Sequence, residues 1–236
     1  MCEDKQIYII GDVHGCYKSL LALIEQLPNK QNSKIVFVGD LIDRGKNSCE
    51  VIELIINNNY DCVMGNHEEL FLEYAPNKDE FGNDFNMENS LYYLERCGGK
   101  ATIESYKSKE IYLKHYDFIK NLPLYLEYKD YKTADDRYLV VSHSAVVNVW
   151  DKRDSKDKFD IENFENQLLY KRYKQFDNKD IFNVYGHTPR SEAKLTSFDA
   201  NIDLGCCYKD RNGVINPRLC SLEFPSMKVY TQENIE

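Results

Sequence analysis

The sequence predicts an α/β protein with a largely parallel central sheet, and two observations support this prediction. Short apolar runs rich in β-branched residues alternate with stretches in which Leu, Ile and Val recur at helical intervals. Strand–helix–strand–helix–strand order is typical of right-handed βαβ units, which build parallel sheets. The 236 residues, 42% of them hydrophobic, fit one domain spanning 1–236 that is large enough to bury a core without disulfides.

The first half of the chain supplies the βαβ pattern. The apolar runs predict strands and the helical periodicity predicts helices, with Pro28 and an Asn cluster at 57–59 ending the first two helices. The predicted order is a strand at 7–10, a helix at 16–27, a strand at 35–38, a helix at 48–56, a strand at 61–64 and a short helix at 67–74.

The second half is more mixed. Two polar segments, 76–90 and 151–160, are predicted to be surface loops. Between and after them the pattern predicts helices at 91–105 (broken at Gly98-Gly99), 109–121 and near 161–174, and strands at 123–128, 138–141 and 181–185. Alternation in 197–204, 214–224 and 228–230 predicts antiparallel β-structure.

Charge and cysteine usage limit the possible functions. A net charge of −9 argues against a nucleic-acid partner, because phosphate backbones are bound by clustered Lys and Arg. The sequence has no run long enough to span a membrane and no signal-peptide pattern. Eight cysteines without a CxxC pair are typical of reduced thiols, so we expect a cytoplasmic protein.

Five apolar runs end at a small residue that is followed at once by Asp, Asn or His. In an open α/β sheet, ligands bind beyond the carboxyl ends of the strands, so these polar side chains are expected to meet. Four of the five histidines lie in such motifs, whereas His115 falls in a helical stretch and is interpreted as structural. The candidate metal ligands are Asp12, His14, Asp40, Asn66, His143 and His187.

Their chemistry favours a dinuclear site. Carboxylate, amide and imidazole ligands suit Mn²⁺, Fe²⁺ and Zn²⁺. Six such groups are too many for one catalytic ion with open positions but suffice for two ions sharing a carboxylate, and Asp40 is the candidate bridge. Two ions clamp the attacking and leaving oxygens of an in-line displacement, which predicts phosphoester hydrolysis by direct attack of a hydroxide bridging the metals.

Three neighbouring residues complete the predicted site. Arg44 is expected to bind the phosphoryl oxygens bidentately. His67 directly follows Asn66, so in an extended chain it would project away from the ions towards the leaving group, where it could act as a general acid. Asp43 is the candidate carboxylate that orients His67.

Two other phosphate-handling motifs are excluded. Residues 39–46 resemble a P-loop, but five residues separate the glycines instead of four, and Asn47 stands where Ser or Thr would bind Mg²⁺. No cysteine has an Arg six positions later, so a cysteine-phosphatase cradle has no support.

The segments GDVHG (11–15), GDLIDRG (39–45) and GNHE (65–68) resemble the motifs of calcineurin-like metallophosphoesterases, in the short bacterial and phage form of the phosphoprotein phosphatase family. YGHTPR (185–190) and NIDLGC (201–206) extend the similarity along the chain. The resemblance implies a four-layer α/β sandwich with two central mixed β-sheets flanked by helices, and a site usually filled by two Mn²⁺ ions, with iron or zinc as alternatives.

The resemblance also implies roles for individual residues. One metal would take Asp12, His14 and Asp40, and the other Asp40, Asn66, His143 and His187. His67 with Asp43 would be the acid, and Arg44 would bind phosphate. The family's second phosphate-binding arginine matches Arg172 best, with Arg153 as the alternative, because Tyr170 stands where the family has Trp.

The function implied first is a metal-dependent serine/threonine protein phosphatase, whose partner would be a phosphorylated protein or a small phosphoester. The closest alternative is a dinucleoside tetraphosphate hydrolase on the same scaffold. In that subfamily the second motif resembles GDLVARG, so Asp43 favours the phosphatase. An inactive binding scaffold is a remote alternative, because every ligand and the acid histidine are present. The oligomeric state is left open.

Overall fold

Two five-stranded β-sheets pack face to face, and helices cover the outer face of each sheet. The structure, a computed structural model, describes residues 6–76, 91–172, 175–208 and 216–236. The arrangement is the four-layer α/β sandwich implied by the sequence motifs, and the prediction of fold class is confirmed.

The first sheet has the strand order β10-β9-β1-β2-β3. Strands β1, β2 and β3 are parallel, whereas β9 runs antiparallel to both β1 and β10. The bounds are β1 Ile7–Ile10, β2 Lys34–Phe37, β3 Asp61–Cys62, β9 Arg218–Phe224 and β10 Lys228–Glu233.

The second sheet has the order β4-β5-β6-β8-β7. Its centre is parallel, with β5, β6 and β8 running the same way, and β4 and β7 form antiparallel edges. The bounds are β4 Tyr125–Lys132, β5 Tyr138–Ser142, β6 Ile181–Tyr185, β7 Lys194–Leu195 and β8 Asp199–Asn201.

Helices connect the strands on the outside of the sandwich. The α-helices are α1 Tyr17–Gln26, α2 Ser48–Asn58, α3 Asn66–Tyr74, α4 Gly99–Ser105, α5 Lys109–Lys120 and α6 Lys158–Tyr170. A π-helical turn, Tyr92–Cys97, precedes α4, and a 3₁₀ helix, Val147–Lys152, lies between β5 and α6.

Successive side chains of β1 point to opposite faces of the sheet and therefore enter two different hydrophobic cores. Ile7 and Ile9 pack between the sheets, against residues such as Val141 and Phe182. Tyr8 and Ile10 point the other way, into the core beneath α1 and α2. Because both faces of this strand are buried, its sequence is apolar throughout and does not alternate with polar residues.

Two details differ from the sequence predictions, and a third prediction is not tested. Part of the tail is parallel, not antiparallel, because β8 pairs parallel with β6. The charged segment 151–160 is not one loop: the 3₁₀ helix continues to Lys152, and α6 begins at Lys158 because the Asp157 carboxylate accepts hydrogen bonds from the backbone N–H groups of Phe159 and Asp160. The predicted loop at 76–90 lies, apart from Pro76, outside the described residues.

The layering places the carboxyl ends of five strands next to each other. Strands β1, β2 and β3 end at one edge of the first sheet, and β5 and β6 end at the adjoining edge of the second. All six candidate metal ligands lie directly after these strands, five of them in loops and Asn66 at the first residue of α3. None of the helices in the described part of the chain has the length and apolar character that a bilayer span requires.

Leu222→Ala tests the core between the two sheets. Leu222 is fully buried there and pairs with Ile9, so truncation should lower the free energy of unfolding by about 2–5 kcal/mol, measured by urea denaturation. The control is Leu195→Ala on the edge strand β7, where the side chain is 38% exposed and the loss should stay below about 1 kcal/mol. Equal losses in the two variants would contradict the described packing.

Candidate metal centre

The carboxylate of Asp40, which follows β2, lies at the centre of the candidate site. Its Oδ2 is 3.4 Å from Nε2 of His14, and its Oδ1 is 3.4 Å from Nε2 of His143. Among the described residues, two groups place their ligand atoms within 4.8 Å of one another, and Asp40 belongs to both: His14, Asp40 and His67 form one, and Asp12, Asp40 and His143 form the other. All five side chains are buried.

The backbone is left-handed at three of the candidate ligands, and this conformation directs their side chains into the site. His14, Asp40 and His187 have φ angles of 47°, 49° and 67°, which are uncommon for residues with a Cβ atom and recur at functional sites. Gly186 is required for space, because a Cβ atom at this position would lie 1.9 Å from Oδ1 of Asp12. The glycine therefore lets the loop that carries His187 approach Asp12, whose carboxylate accepts the backbone N–H of His187.

Backbone carbonyls fix the orientation of two histidines. Nδ1 of His14 lies 2.8 Å from the carbonyl oxygen of Ile42, and Nδ1 of His143 lies 2.9 Å from that of Val38. A carbonyl oxygen can only accept, so in each ring Nδ1 carries the proton and Nε2 keeps its lone pair. Both Nε2 atoms face Asp40, which is the arrangement by which proteins hold histidines ready for a metal.

Asn66 and His187 complete the second half of the cluster. Oδ1 of Asn66 is 3.0 Å from Nε2 of His143 and 2.9 Å from Nδ1 of His187. Nε2 of His187 lies 3.2 Å from the carbonyl oxygen of Tyr170 and 3.3 Å from Nε of Arg172. The ring of His187 thus presents Nδ1 to the cluster.

The donor set fits a cation. The Asn66 oxygen, which is half-buried, and Nε2 of the buried His143 are both acceptors, yet they approach to 3.0 Å. Two lone pairs at this distance repel each other unless a positive charge lies between them. A second divalent ion would be held by Asp12, His14 and Asp40, with Asp40 shared. The ligand types suit Mn²⁺, Fe²⁺ or Zn²⁺.

Burial and like charge act together on the acidic groups. Burial raises the pKa of Asp12 well above its ordinary value, and the neighbouring carboxylates of Asp203 and Asp40 raise it further. Burial also acts to raise the pKa of Asp40, but neighbouring positive charge, including that of His67 and Arg44, outweighs burial and holds that pKa well below the usual range. Asp40 is therefore the carboxylate best stabilised in its ionised form.

The candidate ligand histidines are neutral at neutral pH. Burial, the largest cause, lowers the pKa of His14 and of His143, and it lowers the pKa of His187 to about 3. A neutral imidazole has the free lone pair that a metal requires.

Asp43 and His67 form a close pair beside Asp40. Nδ1 of His67 lies 2.7 Å from Oδ2 of Asp43, while Oδ1 of Asp43 accepts hydrogen bonds from Tyr93 and Thr102. Burial acts to lower the pKa of His67, but Asp40 and Asp43 outweigh it, so the pKa is raised. The extended conformation predicted for Asn66 and His67 was wrong, because these are the first two residues of α3. Nε2 of His67 lies 4.0 Å from Oδ2 of Asp40.

The arginines differ in their distance from the cluster. The Arg44 guanidinium reaches Nε2 of His14 at 2.6 Å and Nε2 of His67 at 2.9 Å. Arg172 is exposed and contacts the outer edge of His187. Arg153 instead lies over the Trp150 ring, donates to the Trp150 carbonyl and pairs with Asp154. Of the two arginines suggested by the sequence, Arg172 is the one that contacts the cluster.

Sequence reasoning missed two acidic residues of the site. The fully buried carboxylate of Glu68 accepts backbone N–H groups from both the 39–45 loop and the start of α3, namely those of Asp40, Leu41, Ile42 and Gly65. Asp203 is buried near Asp12, and burial is the main cause that raises its pKa to about 7. Glu68 stood in a quoted motif, but only the fold reveals which N–H groups it meets.

Glu68→Gln should destabilise the protein and loosen the 39–45 loop. The amide keeps the volume of the carboxylate but offers one acceptor oxygen where two are used, so at least one buried N–H loses its partner. We expect the free energy of unfolding to fall by about 1–3 kcal/mol, measured by chemical denaturation. The control is Glu73→Gln, an exposed position on the same helix, which should change stability by less than about 0.5 kcal/mol. Equal stability of wild type and Glu68→Gln would contradict this role.

The chain is similar to several known proteins. It is 28% identical over 237 residues to the bis(5'-nucleosyl)-tetraphosphatase PrpE [asymmetrical] of Oceanobacillus iheyensis, with 87% of this chain and 86% of the relative covered. The fold matches the crystal structure of a candidate diadenosine tetraphosphatase, with a TM-score of 0.64, 17% identity and coverage of 98% and 94% of the two chains. It also matches a protein serine/threonine phosphatase from Saccharomyces cerevisiae, with a TM-score of 0.55, 16% identity and coverage of 100% and 82%.

A family model covers most of the chain. The model for calcineurin-like phosphoesterases matches residues 5–214, a range that includes every residue of the Asp40 cluster. This match agrees with the resemblance of the three sequence motifs and with the four-layer fold. The chain belongs to the calcineurin-like phosphoesterase family.

Proposed function

We propose that this protein hydrolyses dinucleoside tetraphosphates in a dinuclear metal site. The observation that carries the reaction type is that ligand atoms of Asp12, His14 and His143 all lie close to the carboxylate of Asp40. The substrate class is supported by the similarity, along most of the chain, to relatives named bis(5'-nucleosyl)-tetraphosphatase. This ranking reverses the order that the sequence motifs favoured, in which a protein phosphatase came first.

The chain's own residues would hold and orient the reacting groups. Asp12, His14 and Asp40 would bind one divalent ion, and Asp40, Asn66, His143 and His187 the other. When bound, such ions lower the pKa of water and neutralise charge on phosphoryl oxygens. We assign Mn²⁺ to the site as the first choice, with iron or zinc as alternatives.

Arg44 and Arg172 are proposed to bind the reacting phosphoryl group. Arg44 reaches into the cluster between His14 and His67, and its planar guanidinium can donate two parallel hydrogen bonds to phosphoryl oxygens. Arg172 contacts His187 on the opposite side of Asp40 and remains exposed, so its side chain can turn towards a substrate.

His67 and Asp43 are proposed to deliver a proton to the leaving group. Asp43 holds Nδ1 of His67, which leaves Nε2 directed at Asp40 and Arg44, where a scissile phosphoryl group would bind. The carboxylates of Asp40 and Asp43 outweigh burial and raise the pKa of His67, which favours the protonated ring. General acid assistance of this kind contributes about 10²–10⁴-fold.

This acid pair favours a second candidate function, a serine/threonine phosphatase. A serine alkoxide is a poor leaving group and needs a proton, whereas a nucleotide leaves as a phosphate that is stable without one. The pairing of His67 with Asp43 at 2.7 Å would therefore be of most use with an alkyl phosphate substrate.

A direct comparison of substrates separates the two candidates. With Mn²⁺ and one protein preparation, kcat/KM is measured for diadenosine tetraphosphate and for a phosphoserine peptide. We expect the value for diadenosine tetraphosphate to exceed the other at least about tenfold, and chelator treatment to abolish both activities until Mn²⁺ is restored. Preference for the peptide would reverse the ranking, and hydrolysis that ignores the chelator would contradict a metal-dependent reaction.

His67→Asn tests the acid role through the leaving group. Removal of the acid should reduce kcat for phenyl phosphate, whose leaving group is basic, about 10²-fold or more. The loss with 2,4-dinitrophenyl phosphate should be under about tenfold, because its phenolate departs without a proton. Both substrates are measured on one sample, whose fold is checked by its thermal transition. Equal losses would remove His67 from proton transfer.

A further inference from the structure

A cavity of about 590 Å³ opens beside Arg44, next to the metal cluster. Its walls come from the end of the 39–46 loop and from the segment 98–107, which includes α4. None of the six candidate metal ligands lines it. The cavity is thus a neighbour of the reaction centre and not part of it.

Close backbone packing holds this cavity against Arg44. The backbone N–H of Arg44 donates to the carbonyl oxygen of Gly98 at 3.1 Å. Gly98 has a φ of 88°, and a Cβ atom there would lie 2.8 Å from the Arg44 nitrogen and 2.9 Å from its Cγ. Only glycine permits this approach, so the position of the 98–107 wall relative to Arg44 is fixed by the backbone.

The lining is strongly cationic, although the protein as a whole is acidic. Three exposed lysines, Lys46, Lys100 and Lys107, line the cavity together with Arg44, and Glu104 is the one acidic residue in the lining. Glu104 offsets only one of these four positive charges: its carboxylate pairs with Lys100 at 4.0 Å, and Lys107 donates to its backbone carbonyl. With a net charge of −9 for the chain, this local excess of positive charge attracts anions to one place.

Arg44 connects the cavity to the reaction centre. Its guanidinium contacts His14 and His67 in the cluster, and the same residue forms part of the cavity wall. An anionic chain with one phosphoryl group at Asp40 could therefore extend past Arg44 over the three lysines. Ammonium groups on flexible stems are suited to several phosphates in succession, since each acts as a mobile point charge.

We propose that the cavity lined by Lys46, Lys100 and Lys107 binds the phosphates of a polyphosphate chain that are not attacked. This assignment rests on the proposed dinucleoside tetraphosphate substrate and adds a subsite to it. The subsite distinguishes substrates with several linked phosphates from phosphomonoesters, which reach only the Asp40 cluster and the arginines.

Binding of inorganic tripolyphosphate to the metal-depleted protein tests the subsite directly. Isothermal titration calorimetry compares the wild type with Lys100→Ala/Lys107→Ala and with Lys158→Ala. Lys158 is the matched control, because it also pairs with a glutamate four residues later on an exposed helix, at 3.5 Å, and does not line the cavity. We expect Kd to rise at least about fivefold in the double variant and less than about twofold in the control.

Turnover supplies the second readout. In the double variant, kcat/KM for diadenosine tetraphosphate should fall at least about fivefold more than kcat/KM for p-nitrophenyl phosphate, and the excess loss should shrink at high ionic strength. Free Mn²⁺ is held constant, because polyphosphates bind it. Equal losses with the two substrates would overturn the subsite.

The two readouts separate failure of the subsite from failure of the proposed function. Wild-type protein that binds no tripolyphosphate, or a double variant that binds it as tightly as the wild type, overturns the subsite even if diadenosine tetraphosphate is hydrolysed. Protein that binds tripolyphosphate through the lysines but does not cleave diadenosine tetraphosphate keeps the subsite and overturns the proposed substrate. Lysine-dependent turnover of an acidic phosphopeptide, without lysine-dependent tripolyphosphate binding, would assign the cavity to a peptide and contradict the inference.

Discussion

Repulsion between buried carboxylates is the constraint on which this structure depends. Asp12, Asp40 and Asp203 are each at most 4% exposed; Asp40 raises the pKa of the other two, and Asp203 raises the pKa of Asp12. So much negative charge in a protein interior is costly unless positive charge or hydrogen-bond donors compensate it. The protein meets this demand with backbone N–H groups, histidines and Arg44 around Asp40, and the ligand set provides a place for divalent cations.

The two sheets allow this concentration of charge because neither could assemble the site alone. Asp12, Asp40 and Asn66 follow strands of the first sheet, whereas His143 and His187 follow strands of the second. Packing of Ile7, Ile9 and Val38 against Val141 and Val184 aligns the two edges. A shift of one sheet relative to the other would separate His143 from Asp40, so the apolar interface also sets the distances between polar groups.

The sequence predicted the fold class and the convergence at the strand ends because both depend on local signals. A buried strand is visible as an apolar run, and a polar residue directly after it lies at the sheet edge whatever the rest of the fold does. The roles given to these residues remain predictions, but their proximity follows from β1, β2, β3, β5 and β6 ending at adjoining edges.

What the sequence did not reveal depends on partners far apart in the chain. Glu68 binds N–H groups that lie 26–28 residues before it, and Thr102 reaches Asp43 across 59 residues. The parallel pairing of β8 with β6 was missed because alternation does not specify strand direction.

The position of β9 in the sheet affects the order in which the strands can pair while the chain is synthesised. Ile7 pairs with Phe224, so a strand near one end of the sequence stays without its antiparallel neighbour until residues more than two hundred positions later have been synthesised. On the ribosome, the first sheet can form its parallel β1–β2–β3 part early but must keep one edge of β1 open. Closure of that edge is a late, long-range event, and during this interval the nascent chain exposes an apolar strand to other polypeptides.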